Sequence, residues 1–181
     1  MSLPSRSESE KLLGEYIQNE NLINHCEMVA QAMEAYATHL EKSEKEVEEW
    51  WTAGLLHDLD WEKYPDEHPN KAIDVILPKH GYPQNIIDAI AAHAPERTGK
   101  KPETEIERYL YACDELSGFM NAVSLMRPNK FEDMKVKSVT KNLKDAKFAA
   151  NIPREDVKKG AELIGKELRD HIAFLIDVYR T

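Results

Sequence analysis

The sequence predicts an all-α fold, a single compact bundle of about seven to eight helices. Three observations carry this. Chain breakers are few, 7 Gly and 9 Pro in 181 residues, and most of the prolines fall at breaks between long segments. Within the segments, apolar residues recur every three to four positions, the period of a helix with one buried face. Few stretches alternate apolar and polar with the period of two that a half-buried strand needs.

The first helix is expected to start near Ser7 or Ser9, burying Leu12, Leu13, Tyr16 and Ile17, and to break at Asn19-Glu20-Asn21. A long second helix is expected from about Leu22 to Leu40, with Leu22, Cys26, Val29, Met33, Tyr36 and Leu40 at helical spacing. His25 lies three residues after Leu22 and four before Val29, so it shares their buried side. Ser43-Glu44-Lys45-Glu46 has the form of a capping box and opens a third helix. That helix turns Val47, Trp50, Trp51, Leu55 and Leu56 inward and ends around His57-Asp58.

Asp60 to Pro69 reads as a polar connector. A fourth helix is expected from about Asn70 to Lys79, stopped by Gly81, and a fifth from Gln84 to His93 behind Pro83. Ala94 to Lys101 reads as loop. Pro102 opens a long sixth helix through Ile106, Tyr109, Leu110, Cys113, Leu116, Phe119, Met120 and Val123, with Asp114 in its middle. Arg127 to Pro153 is irregular apart from a short helix at Val136 to Lys144, and one last helix is expected from Pro153 to Tyr179.

The length fits one domain, with a core at about 22–123 and a basic segment plus long helix at 124–181. No apolar run approaches the roughly 18–20 residues that span a bilayer. Met1 to Glu10 lacks the apolar segment of a secretory signal, so a cytoplasmic protein is expected. Cys26 and Cys113 are too few for a disulfide framework and read as buried thiols. A net charge of −9 argues against a nucleic-acid or membrane partner.

The chemistry centres on Ala53-Gly54-Leu55-Leu56-His57-Asp58, an apolar run closed by two side chains suited to a divalent metal. His25 and Asp114 lie on or beside the apolar faces of two other helices. Charged groups there are costly unless paired or metal-bound, and convergence on one ion would satisfy all four. His39, His80 and His171 are assigned instead to solvated faces or helix ends.

The order His25, His57-Asp58, Asp114 resembles the HD-domain superfamily of metal-dependent phosphohydrolases. The similarity extends through Gly54-Leu55-Leu56 and Ile86-Ile87-Asp88-Ala89-Ile90-Ala91-Ala92-His93, and it runs from about Leu22 to Val123. Asp114-Glu115-Leu116-Ser117-Gly118 and Arg127-Pro128-Asn129-Lys130 also look like small bacterial HD proteins. The resemblance implies His25, His57, Asp58 and Asp114 as primary ligands of a divalent transition ion (Mn, Fe, Co, Ni or Zn). In members with two ions Asp58 would bridge, and His68 and His93 stand where the ligands of the second are expected.

The sequence departs from the family just after this pair. Asp60 and Trp61 replace the glycine and lysine of the His-Asp-Ile-Gly-Lys subgroup. Trp61 also takes the place of a glutamate that nucleotide-hydrolysing members use for proton transfer, which leaves Asp60 or Glu62 as the catalytic candidates. The implied activity is hydrolysis of a small phosphorylated metabolite or nucleotide. The alternatives are a metal- and nucleotide-binding regulatory module without turnover, or a di-iron oxygenase.

Between Arg127 and Lys147 seven basic residues face three acidic ones, a local charge of about +4. Arg127 and Lys130 are the candidate substrate contacts of this island.

Overall fold

The computed structural model describes residues 3–180. Among them it is all-helical, as the periodicity predicts: α1 (Arg6–Tyr16), α2 (Glu20–His39), α3 (Glu44–Leu56), α4 (Leu77–Lys79), α5 (Gln84–His93), α6 (Pro95–Thr98), α7 (Glu105–Leu125), α8 (Val136–Leu143), α9 (Arg154–Leu163) and α10 (Leu168–Tyr179). A π-helical stretch, Ala72–Ile76, leads directly into α4.

The helix starts follow capping chemistry more closely than the apolar pattern alone. Ser5 and Glu8 form a reciprocal capping box, so α1 begins at Arg6 rather than near Ser7 or Ser9. The Asn19 side chain accepts from the amides of Asn21 and Leu22, so α2 begins at Glu20. Ser43 and Glu46 form the box expected at α3. At α7, the carboxylate of Glu107 accepts from the amides of Glu103 and Thr104, and helix starts three residues past Pro102.

Two expectations about connectivity are corrected. The single C-terminal helix is two, because Gly165 adopts a positive φ of 66° and terminates α9. The loop at 94–101 contains the single turn of α6, closed by Gly99 at φ 76°.

The helix packing is what assembles the site. α3 lies chiefly against α2, and α7 against α2, α5 and α9. The α2–α3 approach is close enough that only glycine fits at position 54. A Cβ there would lie 2.7 Å from the Ala30 Cα and 2.8 Å from the Val29 carbonyl oxygen. Tyr36, Met33, Leu55, Leu56, Leu110, Leu116 and Phe119 fill the space between these helices and are fully buried. Each stabilises the fold by roughly 1.5–3 kcal/mol.

His171 is not on a solvated face; it is fully buried between α10, α2 and α7. Its Nε2–H donates to the Ala112 carbonyl at 2.9 Å, and its Nδ1 accepts from the Tyr36 hydroxyl at 2.6 Å. Both nitrogens are used by the neutral ring. Burial lowers its pKa to about 4.

A pH dependence follows. Below about pH 6.5 the unfolded chain protonates this histidine while the folded one refuses the proton. The unfolded state then binds more protons, and stability falls as pH falls from about 6.5 towards 4. Urea unfolding of His171→Gln is expected to lose close to one proton of this dependence relative to wild type. Identical slopes for both proteins would refute the assignment.

Candidate metal centre and its cavity

Five segments deliver the polar cluster. His25 projects from α2, Asp114 from the middle of α7, and His93 is the last residue of α5. His57 caps the C-terminus of α3, with Asp58 one residue beyond in the connecting turns. His68 comes from the segment ahead of the π-helical stretch.

His25 Nε2 lies 3.0 Å from Asp114 Oδ1 and 3.2 Å from His57 Nε2. His57 Nε2 lies 3.3 Å from Asp114 Oδ1 and 3.4 Å from Asp58 Oδ2. Ligands about 2.0–2.2 Å from a common ion stand roughly 3.0–3.5 Å apart, so these separations suit one coordination sphere.

Asp58 faces two ways. Its Oδ2 points to His25 and His57, at 3.7 and 3.4 Å. Its Oδ1 points to His68 and His93, at 3.5 and 3.8 Å. Two candidate metal-holding triads share this carboxylate: His25, His57 and Asp58, and Asp58, His68 and His93.

The ring orientations are set from outside the cluster. His57 Nδ1 donates to the Gly54 carbonyl at 2.8 Å, and His93 Nδ1 donates to the Ile90 carbonyl. His68 Nδ1 meets Asp60 Oδ1 at 2.7 Å. Each contact keeps a proton on Nδ1 and turns the Nε2 lone pair inward, as a metal ligand requires. The donor set and the tautomers fit a divalent transition ion.

The electrostatics agree. Burial alone would lower the pKa of His57, but the facing Asp58 and Asp114 carboxylates raise it well above its usual value. That field attracts cations. Burial and then the charge of His57 lower the pKa of His93.

His25, Asp58, His68, His93 and Asp114 line a cavity of about 610 Å³, with His57 fully buried behind them. Of the residues expected at the site, the structure brings together His25, His57, Asp58, His68, His93 and Asp114. Asp60 is fully buried and committed to orienting His68, with its second oxygen accepting from the Ala72 amide at 2.8 Å. It does not reach the cavity. Glu62 is exposed and accepts from the Gln18 and Asn19 amides at 2.9 Å, ahead of α2. Neither carboxylate lines this cavity, and Glu62 lines a separate groove with His25 and Trp61.

Arg127 and Lys130 also lie outside the cavity. Arg127 is paired with Asp133 at 2.7 Å, and Lys130 lines a separate groove beside Phe131 and Tyr179. Charge counting along the chain pointed to cations that do not line this cavity.

The cavity walls hold residues the sequence pattern passed over: Glu96, Arg97, Glu115, Asn121, Phe148 and Ile152. The face of α7 that carries Asp114 continues through Gly118, Ala122 and Leu125, and that spacing was a readable signal. Burial, then the carboxylates of Asp114, Asp156 and Asp58, push the Glu115 pKa up to about 8. The wall at 148–152 is tied by Arg154, which donates to the carbonyls of Asp145, Phe148, Ala149 and Ile152. No local sequence signal marks that wrap.

The HD-domain family model matches residues 22–118, more than half of the chain. The chain belongs to the HD-domain family. The matched span contains every residue of the cluster, from His25 to Asp114. The HD domain places the protein in a superfamily of metal-dependent phosphohydrolases. No curated protein and no solved structure matches the chain.

Within this HD domain, Asp60→Asn is expected to weaken divalent-metal affinity by about 10–100-fold, because the amide offers one acceptor oxygen where His68 Nδ1–H and the Ala72 N–H each need one. Metal titration of both proteins checks this, and equal affinities would show that Asp60 does not orient a ligand.

Proposed function

We propose that the protein is a metal-dependent phosphohydrolase acting on a small phosphorylated metabolite or nucleotide. The carrying observation is the two-sided carboxylate of Asp58, with one oxygen toward His25 and His57 and the other toward His68 and His93. That arrangement supports two ion positions, one held by His25, His57, Asp58 and Asp114, the other by Asp58, His68 and His93. Divalent ions bound there would polarise a phosphoryl group and lower the pKa of water.

The chain's own residues do the rest. Asp60, Gly54 and Ile90 hold the ligand rings in register from behind. Asp60 and Glu62 are otherwise engaged, so proton transfer falls to a carboxylate that lines the cavity, Glu115 or Glu96.

Metal analysis of the purified protein, followed by a screen for phosphate release with added Mn²⁺, Co²⁺ or Ni²⁺, tests this reading. One or two ions per chain and release from at least one phosphorylated compound are expected. A metal-loaded protein that binds nucleotides and releases no phosphate would favour the regulatory module instead. Trp61, in the place of the familiar proton-transfer glutamate, supports that second reading.

A further inference from the structure

The cavity carries a charge pattern and an apolar wall that together narrow its ligand. Arg97 is the only Lys or Arg among its lining residues. Its Nη1 donates to the carbonyls of Pro65 and His68, at 2.9 and 3.0 Å. The guanidinium also lies over the Trp61 ring, 5.3 Å from its centroid, and that ring meets His68 edge-on at 4.9 Å. One nitrogen thus anchors the group beside the cluster. Among the described residues, Nε and Nη2 make no hydrogen bond to protein, which leaves a two-donor fork of the kind that binds phosphate oxygens.

Four carboxylates, Asp58, Glu96, Asp114 and Glu115, line the same space against this single cation. With all four ionised beside two divalent ions, their net −3 would become about +1, which suits a phosphomonoester carrying about −1.5 to −2. A polyphosphate brings further charges, and no other lysine or arginine lines the cavity to meet them.

Part of the lining is apolar. Trp61 and Leu125 are 41% and 68% exposed, two of the four large hydrophobic side chains left open among the described residues, and both line this cavity with Phe148 and Ile152. Large apolar groups kept exposed in a concave site mark a ligand contact.

We propose that Arg97 anchors the phosphate of a singly phosphorylated substrate whose other end is a flat apolar group, such as a nucleobase or aryl ring, lying against Trp61, Leu125 and Phe148. Polyphosphates and phosphorylated polyols are refused. In the reaction, the phosphorus–oxygen bond to the alcohol breaks and a new one forms to water, whose proton ends on the departing alcohol. Inorganic phosphate and the free alcohol are released. This substrate class rests on the phosphohydrolase reading of the site.

Binding is measured with phosphonates, which lack the bond that is broken, and turnover with AMP, ATP and glycerol phosphate. Metal-loaded wild type should bind phenylphosphonate at least about tenfold tighter than methylphosphonate. Trp61→Ala should erase that advantage, weakening phenylphosphonate more than methylphosphonate even where loss of the ring under Arg97 weakens both. Arg97→Met should weaken both ligands about tenfold or more, with metal content unchanged, which separates loss of the anchor from misplacement of His68. AMP should be hydrolysed in preference to ATP and glycerol phosphate.

Equal binding of the two phosphonates, neutral Arg97 and Trp61 variants, or preference for ATP or glycerol phosphate would overturn the assignment. If AMP is hydrolysed but both variants are neutral, the hydrolase reading survives and this one falls. If nothing is hydrolysed but phenylphosphonate binds with the stated dependence, the anchor and wall stand and the hydrolase reading falls.

Discussion

Asp58→Ala is expected to empty both ion positions at once and to lower phosphate release by at least about two to three orders of magnitude. The reason is geometric. Each of the other ligands serves one side of the cluster, whereas Asp58 presents Oδ2 to His25 and His57 and Oδ1 to His68 and His93. Removing it deletes a donor from both triads and half of the negative charge that faces His57.

Metal content after dialysis and a thermal melt with and without added Mn²⁺ measure this independently of turnover. An ion that binds only the folded state stabilises wild type by about 2.7 kcal/mol at a hundred times its dissociation constant. The variant should show no such rise. A variant that keeps its full metal content would refute the bridging role, and His93→Ala should lose the second ion only.

Gly54→Ala is expected to destabilise the fold by at least about 2 kcal/mol. An alanine in a helix normally gains about 1 kcal/mol over glycine. Here its Cβ would stand 2.7–2.8 Å from Ala30 Cα, the Ala30 amide nitrogen and the Val29 carbonyl oxygen. All three are backbone atoms, so no side chain can rotate away, and α2 and α3 must separate. Because α2 carries His25 and His57 caps α3, the same displacement pulls two ligands apart. Metal affinity should therefore fall along with the urea midpoint. Wild-type stability in Gly54→Ala would show that the helices can part without cost. Lost stability with unchanged metal affinity would show that the displacement does not reach the ligands.

The helices were legible because burial on one face imposes a period, and the chain keeps that period through α2, α3, α5 and α7. The ligands were legible for a related reason. His25 and Asp114 interrupt apolar stripes, where a charged group needs a partner, and the adjacent His57-Asp58 pair shows which partner it is. His171 belonged to the same logic and was missed. It sits between Leu168 and Leu175 on the buried stripe of α10, and its partners, Tyr36 and Ala112, are remote in sequence.

The sequence by itself determined that the chain is helical and where most helices lie, and it singled out His25, His57, Asp58 and Asp114, whereas His68 and His93 came from the resemblance to HD domains. It did so because each of those signals is local: a spacing, a cap, a charged residue on an apolar stripe. Only the tertiary structure decided what surrounds the cluster. Asp60 turned inward to hold His68, and Glu62 turned away to the start of α2. The basic island from Arg127 onward contributed no cation to the cavity, and Arg97, in a segment read as plain loop, became its only guanidinium. These outcomes depend on which surfaces meet when α5, α7 and the 148–152 wall close around a common space. Meetings between distant segments leave no period in the chain to be read.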